Sequence, residues 1–197
     1  MGDLGLDPKL VDKSLEFKKV NDNKKKLYAA LDLGTNSCRM LIARPTGSRF
    51  EIVDAFSKSI RLGLDLERTG ELSQAGISRA LQALHVCAKK INKFGVKNSR
   101  LVATEACRRS INGKSFLIKV KKETGLSLEL IKPEEEARLA VISCAPLFDP
   151  NFSHVLIVDI GGGSTELVWM DLSEVSKEKV PEVVFSIIAT SNEILRH

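Results

Sequence analysis

Aromatic side chains are scarce in this chain, which has one Trp, one Tyr and 8 Phe among its 197 residues. Proteins that bind single-stranded nucleic acids generally stack the bases on such rings. The excess of positive charge is also small, because 30 Lys and Arg stand against 25 Asp and Glu, for a net charge of +5. This excess favours anionic ligands in general and does not indicate a nucleic-acid partner.

Long apolar runs are absent as well. No stretch approaches the roughly 20 residues that a membrane-spanning helix requires, and the N-terminus lacks the apolar segment of a signal peptide. Residues 1–26 are polar and end in Lys24-Lys25-Lys26, which is typical of a solvated N-terminal arm. We therefore expect a cytoplasmic protein without a membrane partner.

Metal-binding patterns of cysteine and histidine are missing too. The three histidines are scattered, and no two of the four cysteines have metal-ligand spacing. We expect the cysteines to be small apolar side chains in a reducing compartment; they are Cys38, Cys87, Cys107 and Cys144.

The hydrophobic pattern predicts a sheet followed by helices. Three β-rich runs, 27–33, 38–44 and 50–56, are joined by short turns and predict an antiparallel meander, the first run being apolar enough for a buried strand. Helical spacing then begins after Ser73, a candidate N-cap, and stops at Gly95.

The remaining pattern alternates between strands and helices. It predicts strands at 100–103 and 126–131, a helix at 114–123, a helix from Pro133, and further strands at 155–160, 166–170 and 183–188. This order predicts an α/β fold of ribonuclease-H-like layout, with a mixed sheet and helices packed on it. We assign residues 27–150 to this domain and 151–197 to the incomplete start of a second, similar domain.

An internal repeat carries the chemistry. Residues 32–37 (DLGTNS) match residues 159–164 (DIGGGS), and each copy ends an apolar run and precedes another β-rich run. The two copies lie about one domain length apart. They therefore predict two related domains whose turns face each other.

Both turns have the composition of a phosphate site. Glycine lets the backbone approach an anion and adopt a positive φ, and successive N–H groups form an anion nest. The predicted phosphate-binding residues of the two turns are Gly34, Thr35, Asn36, Ser37, Gly161, Gly162, Gly163, Ser164 and Thr165. Asp32 and Asp159, at the strand ends, are candidate ligands of Mg²⁺. An ordinary hairpin turn is the alternative for the first copy, whereas three consecutive glycines favour a ligand in the second.

The sequence resembles the exopolyphosphatase / guanosine pentaphosphate phosphohydrolase family of the actin-like ATPase superfamily. The matching segments come in the order of the family and cover roughly residues 27–170; they are 32–37 (DLGTNS), 61–63 (RLG), 103–108 (ATEACR), 135–139 (EEARL) and 159–167 (DIGGGSTEL).

The resemblance implies the roles of individual residues. It implies that Glu136 activates the attacking water, that Arg108 binds phosphate, and that Asp159 and Glu166 serve Mg²⁺ and catalysis. Independently of the family, a carboxylate in the first turn of a helix is kept ionised by the helix dipole, as a general base requires. An acidic first turn without a catalytic role is the alternative for residues 134–136.

Two features depart from the family pattern. Lys132-Pro133 stand where the family has Ser-Gly, and the chain ends at His197, soon after the second turn. We expect the 197-residue chain to be weakly active or inactive by itself, and we leave a homodimer open as its assembly.

The resemblance predicts an enzyme that releases terminal phosphate from inorganic polyphosphate or guanosine pentaphosphate with Mg²⁺. The main alternative is a non-catalytic module that binds polyphosphate or a nucleotide. A kinase or ATPase of the same superfamily is disfavoured by the EEARL segment and by the lack of a recognisable adenine-binding segment.

Overall fold

The computed structural model describes residues 26–46, 49–149 and 151–172. Its strands are β1 Tyr28–Leu33, β2 Ser37–Thr46, β3 Arg49–Ser59, β4 Asn98–Ala103, β5 Glu129–Leu130, β6 His154–Ile160 and β7 Thr165–Asp171. Its α-helices are α1 Leu66–Thr69, α2 Gln74–Lys93, α3 Glu105–Arg109, α4 Gly113–Thr124 and α5 Pro133–Cys144, and a 3₁₀ turn covers Ala145–Leu147. The strand predicted at 183–188 and the arm up to residue 25 lie outside the described residues.

The first five strands form one mixed sheet in the order β3-β2-β1-β4-β5. Strands β1, β2 and β3 pair antiparallel, which confirms the predicted meander, while β4 and β5 are added in parallel beside β1. The predicted α/β fold with a mixed sheet is confirmed. Because β1 and β4 are parallel neighbours, the turn after β1 and the helix after β4 meet at the same edge of the sheet.

The main core lies between one face of this sheet and helices α2 and α4. Alternate residues of β1 are buried there, namely Ala29, Leu31 and Leu33, whereas Tyr28 and Ala30 on the other face are exposed. The prediction of a fully buried first strand is therefore wrong on one face. The period of two places Asp32 on the exposed face, so its carboxyl group is accessible from the turn that follows.

The long helix α2 forms for the predicted reasons. The hydroxyl of Ser73 accepts a hydrogen bond from the backbone N–H of Gly76 at 3.2 Å, which confirms the N-cap. Gly95 has a φ of 62° just after the helix, where a left-handed residue ends the helical path. Gly125, with a φ of 75°, ends α4 in the same way.

Three segments differ from the sequence prediction. The strand predicted at 126–131 is only two residues long, Glu129–Leu130, because β5 is an edge strand that pairs with β4 at two positions. The short helices α1 and α3 were not predicted, since four or five residues are too few to show helical periodicity.

Strands β6 and β7 form a separate two-stranded antiparallel sheet. One face packs on α5, where Val141, Ile157, Met170 and Leu172 are buried together. The prediction of a buried strand at 155–160 is wrong for the other face. There, Leu156, Val158 and Ile160 are each at least 50% exposed. No helix in the described residues is long and apolar enough to cross a membrane.

Candidate active site

The sequence repeat is also a repeat of backbone geometry. In the turn between β1 and β2, the N–H of Gly34 donates to the carbonyl of Ser37 at 2.9 Å. In the turn between β6 and β7, the N–H of Gly161 donates to the carbonyl of Ser164, also at 2.9 Å. The two matching segments therefore form two equivalent turns, each at the end of a strand that carries an aspartate.

The first turn is held in place by the segment that follows β3. The carbonyl of Asn36 accepts hydrogen bonds from the N–H groups of Ile60 and Arg61, and the carbonyl of Thr35 accepts one from Gly63, all at 2.9–3.0 Å. A Cβ on Gly63 would lie 2.4 Å from Cγ2 of Thr35. The RLG segment therefore supports the first turn, and a side chain at position 63 would displace that of Thr35.

The two turns contact each other. A Cβ on Gly162 would lie 2.8 Å from Cβ of Asn36, and one on Gly163 would lie 2.8 Å from Oγ1 of Thr35. Among the described glycines, only Gly70, Gly95 and Gly125 have a positive φ, so the predicted positive φ in the turns is wrong. The glycine run instead permits the second turn to approach the first.

A cavity of about 380 Å³ lies between the turns. It is lined by Asp32, Gly34, Thr35, Asn36, Ser37, Arg39, Thr104, Glu105, Glu136, Asp159, Ile160, Gly161, Gly162, Gly163 and Ser164. The structure thus brings together most of the predicted residues around one space. Three predicted residues are not part of this lining, namely Arg108, Thr165 and Glu166.

Glu136 lies in the first turn of α5 and reaches the cavity wall. Its side chain is only 21% exposed, and its Oε2 accepts hydrogen bonds from both Nη1 and Nη2 of Arg108 at 3.2 Å. Burial raises the pKa of Glu136 above the usual value, Arg108 opposes this, and the charges of Glu166 and Asp32 raise the pKa further. Such a carboxyl group is a stronger base than a solvated glutamate.

Arg108 lies behind Glu136 rather than on the cavity wall. Its guanidinium donates to Oε2 of Glu105, to the carbonyl of Ile131 at 2.8 Å, and to Glu136. These acceptors engage both Nη1 and Nη2 of the guanidinium. The phosphate-binding role implied by the family resemblance therefore stays a prediction, and the observed role of Arg108 is to pair with Glu136.

Of the three acidic residues predicted to serve a metal, two line the cavity and one does not. Asp32 and Asp159 line the cavity, whereas Glu166, directly opposite Asp159 in the β6–β7 pairing, is buried. Partial desolvation within the cavity raises the pKa of Asp32, Arg39 lowers it, and the charge of Asp159 raises it. The two aspartates therefore interact electrostatically across the cavity.

Within the described residues, no three Asp, Glu, His or Cys side chains are close enough to form a metal site by themselves. The residues present still fit Mg²⁺, which is commonly held by one or two carboxylates together with water and substrate phosphates. In the part of the chain that the structure describes, four carboxylates line the cavity, those of Asp32, Glu105, Glu136 and Asp159. Such a wall repels a polyanion unless a cation accompanies it.

Arg39 is a site residue that the sequence reasoning missed. Among the described residues it is the one Lys or Arg in the cavity lining, and it lies directly opposite Asp32 in the β1–β2 pairing. In the second copy the corresponding position, opposite Asp159, is held by Glu166. Arg39 lies two residues after Ser37 in the same strand, so the period of two places both side chains on one face, and this spacing indicates that Arg39 faces the site.

The mixed sheet, the helices packed on it and the second strand–turn–strand unit define an α/β protein with two equivalent turns around one acidic cavity. The model of the Ppx/GppA phosphatase family matches residues 41–183, and the chain belongs to this family.

Solved structures agree with this assignment. The Aquifex aeolicus member of the Ppx/GppA family is 36% identical, with a TM-score of 0.65, over 77% of this chain and 49% of that one. An exopolyphosphatase-like protein is 32% identical, with a TM-score of 0.69, over 76% of this chain and 46% of that one. An exopolyphosphatase from Cytophaga hutchinsonii is 25% identical, with a TM-score of 0.69, over 76% and 48% respectively. The chain spans about half the length of these relatives.

Proposed function

We propose that this chain forms the side of the active site that bears the catalytic base, in a phosphohydrolase that releases terminal phosphate from inorganic polyphosphate or guanosine pentaphosphate. The observation that carries the proposal is the position of Glu136, whose carboxylate lines the cavity between the two glycine-containing turns. Membership of the Ppx/GppA phosphatase family supports the class of reaction. The C. hutchinsonii exopolyphosphatase supports polyphosphate as a substrate.

In the proposed reaction, Glu136 is the general base. Its hydrogen bonds to described residues involve Oε2, which leaves Oε1 for a water molecule. Glu136 takes a proton from this water, whose oxygen attacks the terminal phosphorus, and the bond from phosphorus to the bridging oxygen breaks. Orthophosphate and a chain one phosphate shorter are the products. The raised pKa of Glu136 strengthens it as a base for this step.

The two turns and Arg39 would bind the phosphate oxygens. Backbone N–H groups of the glycine turns and the hydroxyls of Thr35, Ser37 and Ser164 are donors at the cavity wall. Arg39 adds a planar guanidinium, which suits a phosphate group. Since phosphoryl transfer depends mainly on positioning and charge stabilisation, donors on two facing walls are what the reaction requires.

We further propose that Mg²⁺ accompanies the substrate, with Asp32 and Asp159 as its protein ligands and Glu166 behind them. When bound, the ion would neutralise charge on the phosphates during the reaction. The support from the chain is the charge of the cavity lining, because four carboxylates and one arginine of the described residues line the cavity. A polyanion alone would meet net repulsion there.

The experiment that tests the proposal measures phosphate release from long-chain polyphosphate, guanosine pentaphosphate and ATP, with Mg²⁺ and with EDTA. We expect release, at least at a low rate, from one or both of the first two substrates, and only with Mg²⁺. Tight polyphosphate binding without release would favour the alternative, a non-catalytic binding module. Release from ATP alone would indicate an ATPase and contradict the proposal.

A further inference from the structure

Two carboxylates on the cavity wall share one arginine. Glu105 and Glu136 both line the cavity, and Nη2 of Arg108 donates to Oε2 of each. All three side chains are about one-fifth exposed, so their charges are only partly solvated. The family resemblance implies roles for Arg108 and Glu136, whereas Glu105 has no assigned role.

The guanidinium is fixed from three directions. Glu105 holds it from within α3, one helical turn before Arg108 itself. The carbonyl of Ile131 holds it from the segment before α5, at 2.8 Å, and Glu136 holds it from α5. Arg108 therefore links the helix after β4 to the helix that carries the catalytic base.

Glu105 is itself held in place. Its second oxygen, Oε1, lies 3.7 Å from Nε of Arg109, which pairs with Glu67 on the surface at 3.0 Å. The helix that carries Glu105 is anchored next to the first turn, because the N–H of Thr104 donates to the carbonyl of Leu33. A fixed acceptor on a fixed helix restricts the conformation of the arginine that it binds.

We propose that Glu105 is a positioning residue for the reaction, which holds the Arg108 guanidinium against the Glu136 carboxylate. This inference rests on the proposed function for the role of Glu136. Without Glu105, Nη2 of Arg108 keeps only Glu136 as an acceptor, and the guanidinium is held from two directions instead of three. The guanidinium and the Glu136 carboxylate then move more freely as a pair, and the base is less well oriented toward the cavity.

The kinetic test uses Glu105→Ala, Glu105→Gln and Arg108→Ala, alone and combined. We expect Glu105→Ala to lower kcat about 10-fold, since small misplacements of a reacting group are costly, while KM for polyphosphate changes little. Glu105→Gln, which keeps an oxygen acceptor for Arg108, restores most of kcat. In the Arg108→Ala background, Glu105→Ala has no further effect, because Glu105 acts only through Arg108.

The matched control is Glu71→Ala, which removes the same charge from an exposed residue that has no ion pair among the described residues. We expect it to leave kcat unchanged. Thermal melts identify any variant that fails to fold. Additive effects of Glu105→Ala and Arg108→Ala on kcat would overturn the inference. A lower KM for Glu105→Ala with an unchanged kcat would also overturn it, because Glu105 would then only keep Arg108 away from the phosphate.

A second readout does not depend on activity. In protein labelled with ¹³C at the glutamate carboxyl carbon, the Glu136 signal is identified by its loss in Glu136→Gln. We expect Glu105→Ala to move this signal in the wild-type background and to leave it in place in the Arg108→Ala background. An unchanged kcat in Glu136→Gln contradicts the proposed role of Glu136 as the base, whereas an unmoved Glu136 signal in Glu105→Ala overturns the positioning role by itself.

Discussion

Gly162 lies against Asn36, so that a Cβ on the glycine would be 2.8 Å from Cβ of the asparagine and 3.2 Å from its backbone nitrogen. This contact joins the two turns of the repeat. It explains why a bare backbone is needed in the second turn although Gly162 has no positive φ. The width of the cavity between the turns therefore depends on the absence of a side chain at position 162.

The first prediction concerns this contact. Gly162→Val places a branched side chain against backbone atoms that cannot move away cheaply, so the turns separate and the phosphate oxygens lose donors on one wall. We expect affinity for polyphosphate, measured by calorimetry, to fall about 10-fold or more. Ser143→Val, on the exposed part of α5, is the control for adding a valine side chain away from the turns. Unchanged affinity in folded Gly162→Val would mean that the contact has no part in binding.

The second prediction concerns the catalytic base. Glu136→Gln keeps the size and the hydrogen-bond acceptor for Arg108 but cannot accept a proton from water. Since a general base contributes about 10²–10⁴ in rate, we expect kcat to fall by that factor while polyphosphate binding is nearly unchanged. Steady-state phosphate release and calorimetry measure the two quantities. A turnover within about threefold of wild type would remove Glu136 from the role of base.

The third prediction concerns Arg39, the cation of the cavity lining. Arg39→Ala removes a donor to phosphate, so we expect KM for polyphosphate to rise about 10-fold, with a smaller change in kcat. Arg44→Ala, on the same strand but paired with Glu51 on the surface, is the matched control for the loss of charge. Equal KM values for the two variants would exclude a contact between Arg39 and the substrate.

The fourth prediction concerns pH. The pKa of Glu136 is raised by burial and lowered by Arg108, and the base is active only when ionised. Activity should therefore fall as the pH decreases through this raised pKa, at a higher pH than for a solvated glutamate. Arg108→Ala removes the lowering effect and should move the acid limb of kcat/KM to higher pH, while Arg108→Lys, which keeps the charge, should move it less. An acid limb that moves to lower pH in Arg108→Ala would contradict this account.

The fifth prediction concerns stability in acid. Hydrogen bonds from Arg138, together with those from Arg100, lower the pKa of Glu135 to about 2. Because the folded-state pKa is below the unfolded one, Glu135 stabilises the fold above the ordinary glutamate pKa and loses this effect as the pH falls toward about 2. Glu135→Gln should therefore lower Tm at neutral pH and flatten its decline between these values. Glu71→Gln, with no ion pair among the described residues, should leave the profile unchanged.

Much of the fold follows from the sequence. The meander, the Ser73 cap and the helix start at Pro133 are local features, since each depends on residues within one or two turns of chain. The burial of β1 and β6 does not follow in the same way. Both are apolar enough for two buried faces, and only the arrangement of neighbouring elements leaves one face of each exposed.

The candidate site likewise has some features that follow from local sequence and others that depend on tertiary contacts. The sequence by itself determined the two turns, their aspartates and the acidic first turn of α5, because a repeated motif records the same local chemistry twice. Only the tertiary structure decided that Arg108 lies behind Glu136, that Glu105 holds it, and that Arg39 faces the cavity. These positions depend on how β4, α3 and α5 meet beside β1, and contacts between segments far apart in the chain leave no periodic pattern in the sequence.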